Sequence, residues 1–221
     1  MKEALNYSFY NRIVKRMIDI FCSFMAIIFL SVLYLPICVI VKCTSEGPVF
    51  FKQKRIGKDK KYFNILKFRT MRIDTPKDCP THLLQNPDQY ITKVGKFLRK
   101  SSLDELPQIF NIFKGDMSVV GPRPALWNQD DLIAERDKYH INALRPGLTG
   151  WAQVQGRDEL PIPVKVQMDK VYHDNISFAF DVKCVIKTFV GVLKGDGVVE
   201  GGTGQMTEDE IQAKVEETKT I

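Results

Sequence analysis

Apolar residues dominate the chain from Ile18 to Val41, and this stretch lacks the polar face that an ordinary surface helix carries. As one straight helix it would be about 36 Å long, enough to cross a hydrocarbon core of ~30 Å. A cleaved signal peptide fits poorly, because the run is too long and no small-residue cleavage site follows it. Its flanks are basic on both sides: Arg12, Lys15 and Arg16 precede it, while Lys42, Lys52, Lys54, Arg55, Lys58, Lys60 and Lys61 follow. Lysine and arginine favour the cytoplasmic side of a bilayer, so both ends are expected there. A segment that dips into the membrane and returns satisfies both flanks. Pro36 would supply the bend by removing a helical hydrogen bond, and Ser31 could satisfy a freed backbone group. A plain spanning helix with a tolerated proline is the alternative. Asp19 is expected at the interface, paired with Arg16 or a neighbouring helix.

After Gly47-Pro48 the pattern changes. Two aromatic-rich, partly alternating runs, Val49–Gly57 and Tyr62–Met71, surround a Lys/Asp/Gly turn and predict a β-hairpin with a cationic side of Arg55, Lys67 and Arg69. Residues from about Thr75 to Asn86 are polar and proline-punctuated, and read as a loop in which His82 has no partner at metal-ligand spacing. A short amphipathic helix is predicted from Ile91 to Arg99, and a second from about Asp104 to a basic-then-glycine ending at Lys114-Gly115. Trp127–Leu144 reads as a charged, outward-facing helix. Two more follow, from Val164 to Asn175 and from Phe178 to Lys194. The last suits either a core or a membrane-interface position, the core being commoner. Beyond Gly195 the chain is glycine-rich and then charged, with a weak helical pattern over Thr207–Lys219, and is expected to be mobile.

Two carboxylates stand out in Ser101-Ser102-Leu103-Asp104-Glu105-Leu106-Pro107. Ser102 followed by Glu105 has the form of a capping box, and acidic residues suit a first helical turn. Pro107 makes that reading imperfect. If Ser102 is the cap, the proline removes a needed hydrogen bond; if the helix starts near Asp104, the proline falls among positions that need none. The pair is therefore a candidate site, with Arg99 just before it. Arg123, held between Pro122 and Pro124, loses little entropy on gripping a phosphate. Arg145 and Arg157 are likewise framed by proline and glycine in Arg145–Arg157, a loop that matches neither the P-loop nor the dinucleotide fingerprint.

Composition narrows the partners. The chain has 221 residues and a formal charge of +6, with an isoelectric point near 9.0, which favours an anionic partner. Cys22, Cys38, Cys43, Cys79 and Cys184 are odd in number and widely spaced, so neither a disulfide framework nor a zinc site is indicated, and a reducing setting is the simplest inference.

Taken together, GPVFFKQKRIG, KFRTM, SSLDELPQIFNIFKGDMSVVGPRP, RPGLTGWAQVQGR and Tyr172-His173-Asp174-Asn175-Ile176-Ser177 resemble the bacterial sugar transferase family, the monotopic polyprenyl-phosphate phosphoglycosyl transferases. With no periplasm-spanning N-terminal domain, the chain is similar to the small, PglC-like members. The resemblance implies that Asp104 is the nucleophile attacking the β-phosphate of a UDP-sugar, releasing UMP, before a polyprenyl phosphate takes the phosphosugar. It implies Glu105 as the ligand of Mg²⁺, and Arg99, Arg123 and Arg145 as phosphate-holding residues. Lys67, Arg69, Asp169 and Tyr172 also match motif positions and are expected at the substrate. Family members commonly place Ser and Pro side by side at the membrane break, whereas here Ser31 is followed by Val32.

The expected architecture is α+β: a re-entrant helix-break-helix over residues 1–44, a mostly helical cytoplasmic catalytic domain with a small β-hairpin over 45–195, and a charged tail over 196–221. The expected function is transfer of a phosphosugar from a UDP-sugar to polyprenyl phosphate at the cytoplasmic membrane of a bacterium. Its partners are membrane lipid and these two substrates, not nucleic acid, and homo-oligomerisation is left open. The competing readings are a membrane-anchored module that binds anionic lipid or nucleotide without catalysis, and a phosphohydrolase using the same aspartate.

Overall fold

The computed structural model describes residues 9–75, 87–155 and 160–194. The expected loop with His82, Arg157, and the tail beyond Gly195 lie outside them. A single π-helical turn, Tyr10–Val14, leads into α1, Lys15–Thr44. Together they are, among the described residues, the one helix long and apolar enough to cross a membrane. Its surface is inverted relative to a soluble helix: Lys15, Asp19 and Ser23 are buried, whereas Phe21, Phe24, Phe29, Val32 and Leu35 are exposed. Residues four apart share a helix face, so the polar triplet forms one stripe that turns toward the protein.

The chain stays helical through both Ser31 and Pro36, where the sequence suggested a break. Ser31 Oγ donates instead to the carbonyl of Ile28 at 2.6 Å. Both ends of α1 dock on the rest of the protein. At its start, Asp19 accepts hydrogen bonds from Val119 N at 2.9 Å and Ser118 Oγ at 3.1 Å, so its partner is a strand rather than Arg16 or a helix. Toward its end, Ile37 and Val41 pack on Phe68 and Leu98, and Tyr34 donates to the carbonyl of Leu106 at 2.7 Å.

The predicted hairpin is present. Strands β1, Phe50–Ile56, and β2, Tyr62–Phe68, pair antiparallel with Phe51 opposite Lys67. Alternation buries Phe63 and Ile65 against Ile112 and Met117. Helix α2, Lys93–Lys100, begins where Thr92 Oγ1 accepts from Gly95 N at 2.8 Å, a standard N-cap. Helix α3 is shorter than expected, Gln108–Lys114, with Pro107 at its N-cap and Gly115 in the left-handed conformation at its end. Placing the proline before the first hydrogen-bonded turn removes the conflict seen in the sequence. Ser102 does not cap it. That residue has φ +56° and bonds no helix N–H through its side chain; it opens a separate 3₁₀ turn, Leu103–Glu105.

A second, parallel pairing joins β3, Ser118–Val120, to β4, Gly147–Thr149. The glycines of the second segment made it read as a loop, yet they serve close backbone approach: a Cβ on Gly147 would lie 2.1 Å from Gly121 N. The stretch expected as one exposed helix is instead α4, Asp130–Asp137, a break at His140 (φ +56°) and a 3₁₀ turn, Ile141–Ala143. Leu132, Arg136 and Ile141 from it are buried. Its charges concealed an inward face. Helices α5, Trp151–Gln155, α6, Ile162–Asp174, and α7, Phe178–Lys194, complete the domain. Trp151, Met168, Tyr172, Phe180 and Cys184 form their common core. On α7, Phe180 and Cys184 face that core while Phe178, Val182, Ile186 and Phe189 remain exposed, so both expected settings apply to opposite faces of one helix.

Helix α2 presses on the end of β2. A Cβ on Gly95 would stand 2.0 Å from the Thr70 carbonyl oxygen, which also accepts from Thr92 N at 3.0 Å. Gly95→Ala must push the two elements apart, and overpacking of this kind costs about 1–3 kcal/mol. A lowered melting temperature in detergent or nanodiscs is the expected result; an unchanged one would show that the contact yields freely.

Candidate active site

Four segments converge on Asp104: β2 with Lys67, the C-terminus of α2 with Arg99, the turn carrying Asp104 and Glu105, and the Pro122-Arg123-Pro124 loop after β3. Lys67 falls at the site because the hairpin alternates: with Phe68 buried on one face, its neighbour Lys67 points to the other. It reaches Glu105 Oε1 at 2.6 Å. Arg123 Nη1 approaches the same oxygen at 3.9 Å. Arg99 is aimed by Thr70, whose Oγ1 accepts from its Nε at 2.9 Å.

Asp104 is only 7 % exposed. Burial pushes its carboxyl above the usual carboxylate range; Lys67 pulls it back, Glu105 adds to the rise, and Arg99 and Arg123 pull it down. Desolvation disfavours the charged form and nearby cations favour it, and here burial prevails. The two neighbouring carboxylates therefore differ in setting. Asp104 lies deeper, while Glu105 is bound directly by Lys67.

The remaining residues expected at the substrate sit elsewhere. Arg69 is buried, and its Nη2 donates to the Ser45 carbonyl at 2.7 Å and Ser45 Oγ at 2.8 Å, clamping the chain where α1 ends. Arg145 Nε donates to the Gly115 carbonyl at 3.2 Å at the far end of α3. Tyr172 donates to Asp181 Oδ1 at 2.7 Å, and Lys15 Nζ meets Asp181 Oδ2 at 2.6 Å; this buried group ties the start of α1 to α6 and α7. Asp169 is buried in an ion pair with Arg136. Sequence reasoning overlooked two residues that shape the cluster. Thr70 stood in a quoted motif without a role, and Arg136 was indistinguishable from the other charges of its segment.

Among the described residues no group of three or more His, Cys, Asp or Glu gathers as a ready-made metal cage. Asp104 and Glu105 still fit the way Mg²⁺ is commonly held, by one or two carboxylates together with substrate phosphates and water. The donors are hard oxygens, and the cations around them suit a diphosphate that would share such an ion.

A buried carboxylate ringed by cations, on a domain attached to an exposed apolar helix, defines a membrane-associated enzyme for phosphorylated substrates. Residues 10–195 match the model of the family described as Bacterial sugar transferase, and the chain belongs to that family. It is 40% identical over 187 residues to the "Uncharacterized sugar transferase EpsL" of Bacillus subtilis, covering 84% of this chain and 90% of that one. It is 39% identical over 189 residues to the "UDP-N-acetylgalactosamine-undecaprenyl-phosphate N-acetylgalactosaminephosphotransferase" of Aeromonas hydrophila, covering 83% of this chain and 44% of the relative. It is also 39% identical over 192 residues to the "UDP-glucose:undecaprenyl-phosphate glucose-1-phosphate transferase" of Escherichia coli, covering 84% and 40%. The chain thus spans nine-tenths of EpsL but less than half of the other two.

A carboxyl whose pKa is raised by folding binds more protons folded than unfolded, so its contribution to stability falls as pH rises through its titration range. Asp104→Asn removes that cost. Its melting temperature at pH 8 is expected to equal or exceed that of the parent, with the difference fading once the pH drops below the carboxylate range. A clear loss of stability at pH 8 would show that the three cations outweigh the burial.

Proposed function

We propose that the protein transfers a phosphosugar from a UDP-sugar to a polyprenyl phosphate, with Asp104 as covalent carrier. The observation that carries this reading is the placement of Asp104: a buried carboxylate among Lys67, Arg99 and Arg123. An anion-binding module would gain from cations alone, and a buried aspartate would work against it. A nucleophile, by contrast, must be kept anionic yet poorly solvated, and the surrounding cations must hold the phosphates that it attacks. The named activities of the Aeromonas and Escherichia relatives are transfers to undecaprenyl phosphate from UDP-sugars, and they support the same class of reaction here.

In this reading an Asp104 carboxylate oxygen attacks the β-phosphorus of the UDP-sugar. The bond from that phosphorus to the bridging oxygen breaks, and UMP leaves with the electron pair. A polyprenyl phosphate oxygen then attacks the same phosphorus, the bond to Asp104 breaks, and the lipid diphosphate sugar is released. Arg99, Arg123 and Lys67 stabilise charge on the phosphoryl oxygens as it redistributes. Glu105, with Asp104 beside it, would hold Mg²⁺, which when bound neutralises diphosphate charge. Relatives are named for N-acetylgalactosamine, galactose and glucose donors, and the sugar of this chain is left unassigned.

The substrate lipid cannot leave a bilayer, so the site must lie at its surface. The exposed phenylalanines of α1, together with Phe110 and Phe113 of α3 and the outer face of α7, form an apolar side suited to that boundary. About 27 Å of helix separates Arg16 from Tyr34. Both nonetheless bind α3 and the turn before it, Arg16 at the carbonyls of Ile112 and Phe113 and Tyr34 at that of Leu106. A domain that holds both ends of α1 supports a helix that enters and leaves the membrane on one face, the cytoplasmic one by its basic flanks.

With UDP-sugar, Mg²⁺ and polyprenyl phosphate, the protein should release UMP as sugar phosphate appears on the lipid, and Asp104→Asn should lower turnover by at least about 10³-fold. UDP as product, or an active Asp104→Asn variant, would discard the covalent route. For topology, single cysteines at Arg12 and Glu46 in a cysteine-free background should both react with an impermeant thiol reagent from the cytoplasmic side only. Labelling from opposite sides would establish a spanning helix.

A further inference from the structure

The Gly121–Ala125 segment poses a particular problem of positioning. Pro122 and Pro124 have no N–H, so this loop offers few donors by which the rest of the protein can hold it. It is held by its carbonyls instead. Gly147 N donates to Pro122 O at 2.9 Å, Arg55 Nη1 donates to Pro124 O at 3.0 Å, and Ile56 N donates to Ala125 O at 2.9 Å. The remaining carbonyl, that of Arg123 itself, accepts from Arg136 Nη1 at 2.9 Å.

Arg136 is an unusual donor for a backbone carbonyl. It is 4 % exposed, and burying a guanidinium is costly unless a counter-charge accompanies it. Asp169 of α6, 1 % exposed, provides that charge: its Oδ2 accepts from Arg136 Nε at 2.9 Å and Nη2 at 2.5 Å. The two bonds fix the guanidinium plane and leave Nη1 directed at Arg123 O. Val166 and Ile141 seal the neighbouring core. An ion pair this deep is a poor source of stability compared with apolar side chains of equal size, whereas a planar, pinned donor is a good way to fix one atom.

We propose that Arg136, oriented by Asp169, is a positioning residue that sets the backbone of Arg123 and through it the placement of the Arg123 guanidinium over the carboxylate pair. Asp169 accordingly acts behind the site, not on the substrate. This inference rests on the reading of Arg123 as a phosphate-holding residue. The chemistry also explains the choice of residue: lysine at 136 would keep the charge but offers no fixed fork that can hold Asp169 and Arg123 O at once.

A double-mutant cycle on UMP release distinguishes positioning from plain support. Arg136→Lys is expected to lower kcat/KM by about 10-fold in the parent but by less than about 2-fold in an Arg123→Ala background, because the residue it positions is gone. Equal losses in both backgrounds would overturn the proposal. Asp169→Glu, which keeps the charge and displaces the guanidinium by one methylene, runs through the same cycle, and circular dichroism verifies the fold of each variant. Hydrogen exchange over residues 119–127 gives a readout that does not need turnover. Amides there should exchange at least about 5-fold faster in Arg136→Lys than in the parent; unchanged exchange would refute the positioning role even if the protein proved not to be a transferase. Conversely, faster exchange in a parent that releases no UMP would leave the positioning role intact and reject only the proposed reaction.

Discussion

Keeping one carboxylate buried and surrounded by cations is the constraint on which the rest of this structure depends. An aspartate removed from water resists ionisation, and the counter-charges that restore it repel one another if left alone. Four separate segments share that task. Lys67 comes from a strand, Arg99 from a helix end, Arg123 from a proline-framed loop, and Glu105 from the residue next in chain. Thr70 aims Arg99, and Arg136 holds the backbone of Arg123. Each cation is thus fixed by a neutral or buried group behind it, so little ordering remains when a phosphate arrives.

Attachment to the membrane uses the opposite rule. Helix α1 turns its few polar side chains inward and its apolar ones outward, the arrangement that a hydrocarbon solvent selects. Asp19 is bound by the β3 backbone, and Lys15 by Asp181. These contacts place the membrane segment on the same strand that leads into the Arg123 loop, so membrane seating and phosphate grip share one short element. A shift of β3 would be felt at both.

How much of this was readable beforehand varied with the residues. The hairpin was, because period-two alternation and its turn are local properties. So was the identity of the cluster, since Asp104, Glu105, Arg99 and Arg123 lie in motifs whose order carried the family. The inward face of α4 was not readable: Arg136 belongs to a run of charges that looks solvated until Asp169, thirty-three residues later, is seen to be its partner. The parallel pairing of β3 with β4 was hidden as well, because its glycines serve a close approach between backbones distant in sequence. Asp169 and Tyr172 were expected at the substrate on motif membership, and both are buried in bonds to other side chains.

By itself the sequence determined a membrane-inserting N-terminal helix, a cationic hairpin, an acidic pair at a turn and a membership in the bacterial sugar transferases. All of these rest on local composition, periodicity or ordered motifs. Tertiary structure decided which of the expected charged residues meet. It brought Lys67, Arg99 and Arg123 to Asp104, and placed Arg69, Arg145, Asp169 and Tyr172 in supporting contacts. The physical reason is that a buried charge needs a specific partner at hydrogen-bonding distance, and only the folded chain can supply one from a remote segment.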